Sequence, residues 1–552
     1  MLKMTLLAMT ALASTIASAN VTLKNGNFFL GYTDLSYSGG FEPKIERVYN
    51  SKSPHNGVFG WGWGNEYEVF LTVSADGSVV VNEYGAGAKN RFNPAAFDAA
   101  ELQAAVDRLA QANSAALSSP ALMAQYKQKL SSDATFRNDE WERLKRSGRV
   151  KAREVAVGTK LYSTKYSYQF ITRSKDGYFR AFESGRLERF DEAGRLTRVS
   201  DKNNNFIELS YGKDGKPNKI VDNFNRKIFL TFNSQGKVEK IQGENGKEST
   251  YRYNELGELI SARDSDGNTY QYKYSSDRRH NLVEVAYADK TTLQVSYWGR
   301  DLSENVKRVK DRDGTVTEYS YDRKPAEGLI GIAVAIKTKE GKEVSKSRYD
   351  YTTKRKANGE EWTYRLVSTV DGEKTDTIYN ECCGLPLIIK KDGEETTFSY
   401  NERGNVTKKV TPTDVTEITY DAKSGKVARV AEYPKTGKKE VQWSQFQYDE
   451  KDNLTFAQNS DKKAVRLFYD SNGRIRSMVD HKRKRVDFKY NEQSKPIEIT
   501  DPSLGTITVQ YTNSGEVKQV DSTAGRKIAA EVSGSFQNLL EIIRPAGVSL
   551  SF

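Results

Sequence analysis

The chain is poor in the residues that usually carry chemistry: its 552 residues include 2 Cys and 3 His. Two cysteines exclude a disulfide-stapled scaffold and any multi-cysteine zinc or iron–sulfur site. The histidines, His55, His280 and His481, are far apart in sequence and leave little material for metal or acid–base chemistry. No catalytic residue, cofactor or metal is expected. Proline is scarce too, 12 against 41 Gly, so chain reversals fall to glycine, as in hairpin-rich β proteins. Beyond residue 20 no stretch is apolar enough to span a bilayer. What the chain does have is aromatic: 31 Tyr and 23 Phe exclude a simple disordered chain. They also disfavour a helical bundle, because these rings favour half-buried pleated surfaces. The composition is that of a tyrosine-rich structural β protein.

Met1 to Asn20 reads MLKMTLLAMTALASTIASAN, in which Lys3 precedes an apolar run to about Ile16 and then Ala17-Ser18-Ala19. That is the layout of a secretory signal peptide over residues 1–19, cut after Ala19. The run is shorter than the ~20 apolar residues of a membrane anchor. The mature chain is expected to be exported, to the periplasm, the cell surface or the medium. Loss of Lys3 lowers its formal charge from +12 to +11 (12 − 1).

Residues 20–180 read as an N-terminal β domain with a helical insert at about 94–148. Gly57 to Gly64 alternates Gly with large side chains and places Trp61 and Trp63 on one face of a strand. The two indoles are either a stacking platform for sugar rings or a closure where a neighbour needs room against the glycines. The insert is rich in good helix formers. Asn93-Pro94 and Ser119-Pro120 predict two helix starts, and Leu102, Val106 and Leu109 form an apolar stripe. Two or three helices there could recognise a partner, or cover an open sheet edge.

The remaining chain, 181–552, carries a period. Aromatics recur every 21 residues at Phe190, Tyr211, Phe232, Tyr253 and Tyr274, again at Tyr379 and Tyr400, and again at Tyr448, Tyr469, Tyr490 and Tyr511; Tyr420 falls one residue short. Most are followed by Asp or Asn, with glycine three residues later, as at Gly257, Gly404 and Gly473. That is turn chemistry. A second mark, Asp201, Asp222, Asp264, Asp480 and Asp501, lies eleven residues after the aromatic, so each period holds two strands and two turns. The strand entering the aromatic alternates cleanly, as in Ile207, Leu209, Tyr211. The strand leaving the glycine does not: Val238 and Ile241, or Ile475 and Met478, are three apart, which predicts a bulge. The stretch 322–377 is irregular.

Units such as Tyr253-Asn254-Glu255-Leu256-Gly257 and Tyr469-Asp470-Ser471-Asn472-Gly473 resemble the YD repeat of the RHS family. Ser184 to Leu187, with Asp201-Lys202-Asn203-Asn204-Asn205, looks like the start of an RHS core. Arg47 to Ser51 and Phe59 to Gly64 are similar to the domain that commonly precedes it. The resemblance implies an all-β fold, a long antiparallel sheet of hairpins spiralling into a partial or closed hollow shell. Family shells often surround a toxic C-terminal cargo. The Asp-Pro signature that ends such cores is missing, since the only Asp-Pro is Asp501-Pro502, inside a repeat.

Three features remain. Cys382-Cys383 forms either a strained vicinal disulfide or two reduced thiols on opposite faces of a strand. His481 to Arg485 is a basic tip, solvated or binding anions by charge alone; specific nucleic-acid recognition is not expected. The abundant carboxylates serve turns more readily than a glycosidase dyad. The expectation is a non-enzymatic exported scaffold that encloses or presents a protein cargo or joins a surface assembly. The alternatives are an adhesin for envelope glycans, and a toxin shell whose effector is encoded separately.

Overall fold

The computed structural model describes residues 19–522 apart from 38–40, 86, 165–167, 245, 278, 300–303, 382, 438–439, 502–504 and 512–516. Nearly all of the expected export signal lies outside the described residues. Two sheets dominate the remainder.

The smaller sheet is antiparallel and contains Ala19–Thr22, Asn27–Ser36, Lys44–Asn50 and Trp63–Asn65. Alternation in Lys44–Asn50 buries Ile45, Arg47 and Tyr49 on one face. The larger sheet runs from Phe70–Val73 to Val517–Ser522 and holds 36 strands, antiparallel and in chain order. Its first strand also meets a later turn, Leu71 N–H donating to Gly194 O at 2.8 Å. Among the described residues no pairing joins the first strand to the last, so the sheet coils without closing end to end.

Contacts between distant hairpins trace that coil. Glu183 accepts from Asn405 Nδ2 at 2.8 Å, 222 residues away. Lys202 Nζ donates to Asp452 O at 2.7 Å, across 250 residues. Asn205 Nδ2 reaches Asn472 O at 3.2 Å, across 267 residues. The sheet therefore makes a full circuit and lays the hairpin ends of a second coil against those of the first. This seam is polar and built from turn residues. Right-handed strand twist, accumulated over many strands, is the source of the curvature.

Each repeat is a hairpin with a bulge at its aromatic. Tyr253 faces Leu259 while Arg252 faces Ser261, which leaves Ile260 as the extra residue. The same shift sets Phe232 opposite Val238 and Thr231 opposite Lys240. It accounts for the broken alternation, because Val238 and Ile241, three apart, are both fully buried. In the irregular stretch the strands simply lengthen: Glu343–Arg355 has 13 residues where the repeats have about six.

The insert comprises α1 (Ala99–Ala112), α2 (Pro120–Ser132) and α3 (Ala134–Arg146). Ser119 caps α2 ahead of Pro120, as expected. The first start differs: Asn93 ends a strand, and α1 begins after Asp98, whose carboxylate accepts from Ala100 N and Glu101 N. Asn93 is held in the sheet opposite Tyr162, so the helix start passes to Asp98, itself a good cap. The helices meet the end of the sheet's first strand through Trp141 Nε1 donating to Val73 O at 2.8 Å, and the turn after it through Ser74 Oγ donating to Asn138 Oδ1 at 2.8 Å. Otherwise they bridge two hairpin tips: Arg137 donates to Asn358 O at 2.8 Å and pairs with Asp76 at 3.3 Å.

Candidate functional site

The repeat aromatics are structural clamps. Tyr253 Oη donates to Val238 O at 2.9 Å, Tyr274 to Leu259 O at 3.0 Å, and Tyr469 to Leu454 O at 2.8 Å. Tyr211, Tyr490 and Tyr511 repeat the bond over the same fifteen-residue span. Tyr400 and Tyr420 make it over fourteen, so the missed beat costs no clamp. Phe232 lacks the hydroxyl and contributes its ring to the core. Each such bond contributes about 1 kcal/mol net.

The residue after the aromatic folds the turn. Asn254 Oδ1 accepts from Leu256 N at 3.1 Å and Glu258 N at 3.0 Å, and Asp470 accepts from Asn472 N and Arg474 N, both at 3.0 Å. Gly257 and Gly473 take the left-handed position at φ +74° and +77°. The second series of turns uses the same chemistry, but Asn225 and Arg483 fill the left-handed position.

The smaller sheet lies inside the first coil as a plug. At its centre Arg47 forms a bidentate pair with Asp34 at 2.8 and 3.0 Å, both side chains having no exposure. Tyr251 Oη donates to Asp34 at 2.8 Å and Arg47 to Tyr272 Oη at 3.2 Å, so plug and wall share one polar network. The guanidinium also sits 4.4 Å from the ring centre of Trp63. Breaking such a buried pair by removing one partner costs about 3–5 kcal/mol. Sequence reading passed over this pair. Its signal was present in Ile45-Glu46-Arg47-Val48-Tyr49, where a cation stands in an otherwise apolar stripe. Tyr297, which clamps Leu282 O at 3.0 Å, was missed because it falls off the 21-residue beat, 23 residues after Tyr274 (297 − 274).

Trp61 and Trp63 do not share a strand face. Gly60–Trp61 and Trp63–Asn65 are separate strands, with Gly62 between them at φ +74°. Trp63 has no exposed surface and donates to Tyr274 Oη at 2.9 Å. Trp61 stacks on His280 at 4.2 Å and donates to Leu256 O at 3.0 Å. The glycines mark close approach: a Cβ at Gly60 would lie 2.5 Å from Gly257 O. The paired sugar platform is thereby corrected, since a left-handed glycine splits the run and one indole is sealed in the core.

Beyond the plug the inner face is open. The register carries it from Tyr321 to Ile332 and Tyr349, and from Arg323 through Ile330, Tyr351, Leu366 and Thr377 to Ile389. Most of these side chains are half-buried, with Ile332 and Thr377 buried. A second core resumes only with Ile418, Val430, Phe446 and Leu467. The N-terminal segment reaches one end of this face, where Arg323 Nη2 donates to Lys24 O at 3.1 Å and Lys24 Nζ donates to Thr363 Oγ1 at 3.2 Å; Tyr349, Tyr351 and Leu366 stay half-buried.

Cys383 carries no free thiol and is disulfide-bonded, while Cys382 lies outside the described residues. His481 to Arg485 form an exposed turn, as expected for a tip. Among the described residues no three His, Cys, Asp or Glu side chains converge to hold a metal ion, and no helix is long and apolar enough to cross a membrane.

A family model described as Teneurin YD-shell matches residues 71–324 and 336–547, and one described as a domain of unknown function (DUF6531) matches 19–92. No curated protein matches the chain. Among solved structures it is similar to a Photorhabdus luminescens Tc holotoxin pore, at 12% identity over 92% of this chain and 28% of that one, with a TM-score of 0.42. It is similar also to the TcdB2-TccC3-TEV structure, at 13% identity over 96% of this chain and 30% of that one, with a TM-score of 0.41. The chain spans less than a third of these two solved chains.

Proposed function

This chain belongs to the Teneurin YD-shell family, and on that premise we propose that its coil is a non-enzymatic container that encloses or presents a separate polypeptide cargo. The observation that carries the reading is the inner face of the long strands, where Tyr349, Tyr351 and Leu366 stay only half-buried. A monomeric wall rarely leaves a contiguous apolar surface without an occupant. The N-terminal segment, with its signal-peptide layout, supports export of the mature chain. Affinity purification of the native secreted form, with identification of what copurifies, tests the proposal. A polypeptide that resists protease until the coil is denatured is expected. Native protein that carries nothing and is itself protease-labile would overturn it. A copurifying enzyme would make the chain the shell of a toxin system. Binding on a glycan array that is unaffected by Trp61→Ala would remove the adhesin alternative in its remaining form.

The second cysteine available to Cys383 is its neighbour, so we propose a Cys382–Cys383 bond. Alkylation without reduction should label neither residue; two labelled thiols would sink the bond.

A further inference from the structure

The insert carries a feature that containment does not require. Between α1, α3 and the segment 149–153 lies a cleft of about 480 Å³ lined by Arg108, Arg149, Lys151 and Arg153, with Trp141 and Val150 among its walls. Two of the cations are fixed by one acceptor: Arg108 Nη1 donates to Ala75 O at 3.1 Å and Arg153 Nη1 to the same oxygen at 2.8 Å. Two guanidinium groups on one carbonyl repel each other, and the single carboxylate paired there is Glu101, bound to Arg153. The nearby Asp107 is engaged by Lys127 and Glu142 by Lys145. Among the described residues Arg149 and Lys151 form no ion pair. Trp141, buried and with its indole nitrogen donating to Val73 O, backs the cleft. Four cations therefore face one carboxylate around a concave, partly apolar floor, with two guanidinium forks held in place.

From this we infer that the cleft binds a small polyanion carrying at least two phosphate groups. Guanidinium forks match phosphate oxygens in bidentate geometry, and pinning two of them lowers the ordering cost of binding. The chemistry is common to a soluble polyphosphate and a diphosphate lipid headgroup, and the two sources are separable.

Calorimetric titration of the full chain with inorganic tripolyphosphate should show saturable binding at one site, weakening as salt is raised. The exposed double variant Arg149→Glu/Lys151→Glu should lose about tenfold or more in affinity, the scale of one or two charged hydrogen bonds. Charge reversal at the distant tip, Lys482→Glu/Arg483→Glu, should change it less than about twofold. Equal losses in the two variants, or no saturation, would overturn the site by reducing it to diffuse charge. Flotation with cardiolipin vesicles that tripolyphosphate competes away supports the site with a lipid source. Tripolyphosphate binding without flotation supports it with a soluble one.

Discussion

Tyr253 in the first coil and Tyr469 in the second occupy the same place in the repeat, donate to the same kind of carbonyl, and precede the same turn. Their surroundings differ. Tyr253 packs against a core to which the inner sheet contributes Trp63 and the turn before Gly60 contributes Phe59, and burial raises its hydroxyl pKa well above the ordinary value. Tyr469 packs against a smaller core with no plug over it. Tyr420 and Tyr490, also in the second coil, are raised by burial only to about 12. One repeat therefore yields two walls, a rigid one filled from within and an open one held by hairpin geometry and a polar seam. Stability in a repeat array is a sum of local terms, so what covers each unit decides how firmly it holds.

The sharpest way to break this contrast is to remove the plug's anchor. Asp34→Ala strands a buried guanidinium and should cost about 3–5 kcal/mol. Hydrogen exchange should quicken in strands 206–297 and leave 442–490 nearly unchanged; equal loss in both would mean that the coils unfold as one unit. Next in size, Tyr253→Phe should cost about 1–3 kcal/mol, because it leaves a carbonyl unpaired in a covered core, and Tyr469→Phe less than half of that. Denaturant midpoints of the two variants measure the difference.

Glycine tests the seam. Gly257→Ala and Gly473→Ala both force a side chain into the left-handed region, at about 1–2 kcal/mol. A Cβ at Gly473 would also fall 2.1 Å from Asn203 Nδ2 across the seam, whereas at Gly257 it meets only Lys237 Cε at 3.5 Å. Gly473→Ala should therefore be the worse of the pair in thermal melts, and the two variants would melt alike if the seam were absent in solution.

The smallest effect is alkaline. A tyrosine raised in the folded state contributes stability that is present below the ordinary value of about 10 and lost as pH climbs toward the folded value. The loss should begin above pH ~10. Tyr420 and Tyr490 should then ionise near pH 12, ahead of Tyr253 and Tyr274, which burial raises further; tyrosinate absorbance compared between Tyr490→Phe and Tyr253→Phe reads the order.

Much of the fold was legible because the repeat is a local device. The aromatic, the Asx residue and the glycine lie within five residues, and hydrogen bonds over four residues or fewer complete the turn. The bulge was legible as broken alternation, although its cause appeared only with the pairing of Phe232 to Val238. The plug was not legible, since Asp34 and Arg47 meet Tyr251 and Tyr272 across more than two hundred residues. The paired indoles misled because φ at Gly62 is a property of the folded chain and not of the Gly–Trp alternation.

The sequence by itself determined the hairpin, its turns, the clamp hydroxyl and the face each strand buries, because these depend on side-chain type and spacing over about twenty residues. Only the tertiary structure decided how the coil returns on itself, which stretch the inner sheet fills, and which stretch stays open. Those outcomes follow from twist summed over many strands and from contacts between segments hundreds of residues apart, on which a local period carries no information.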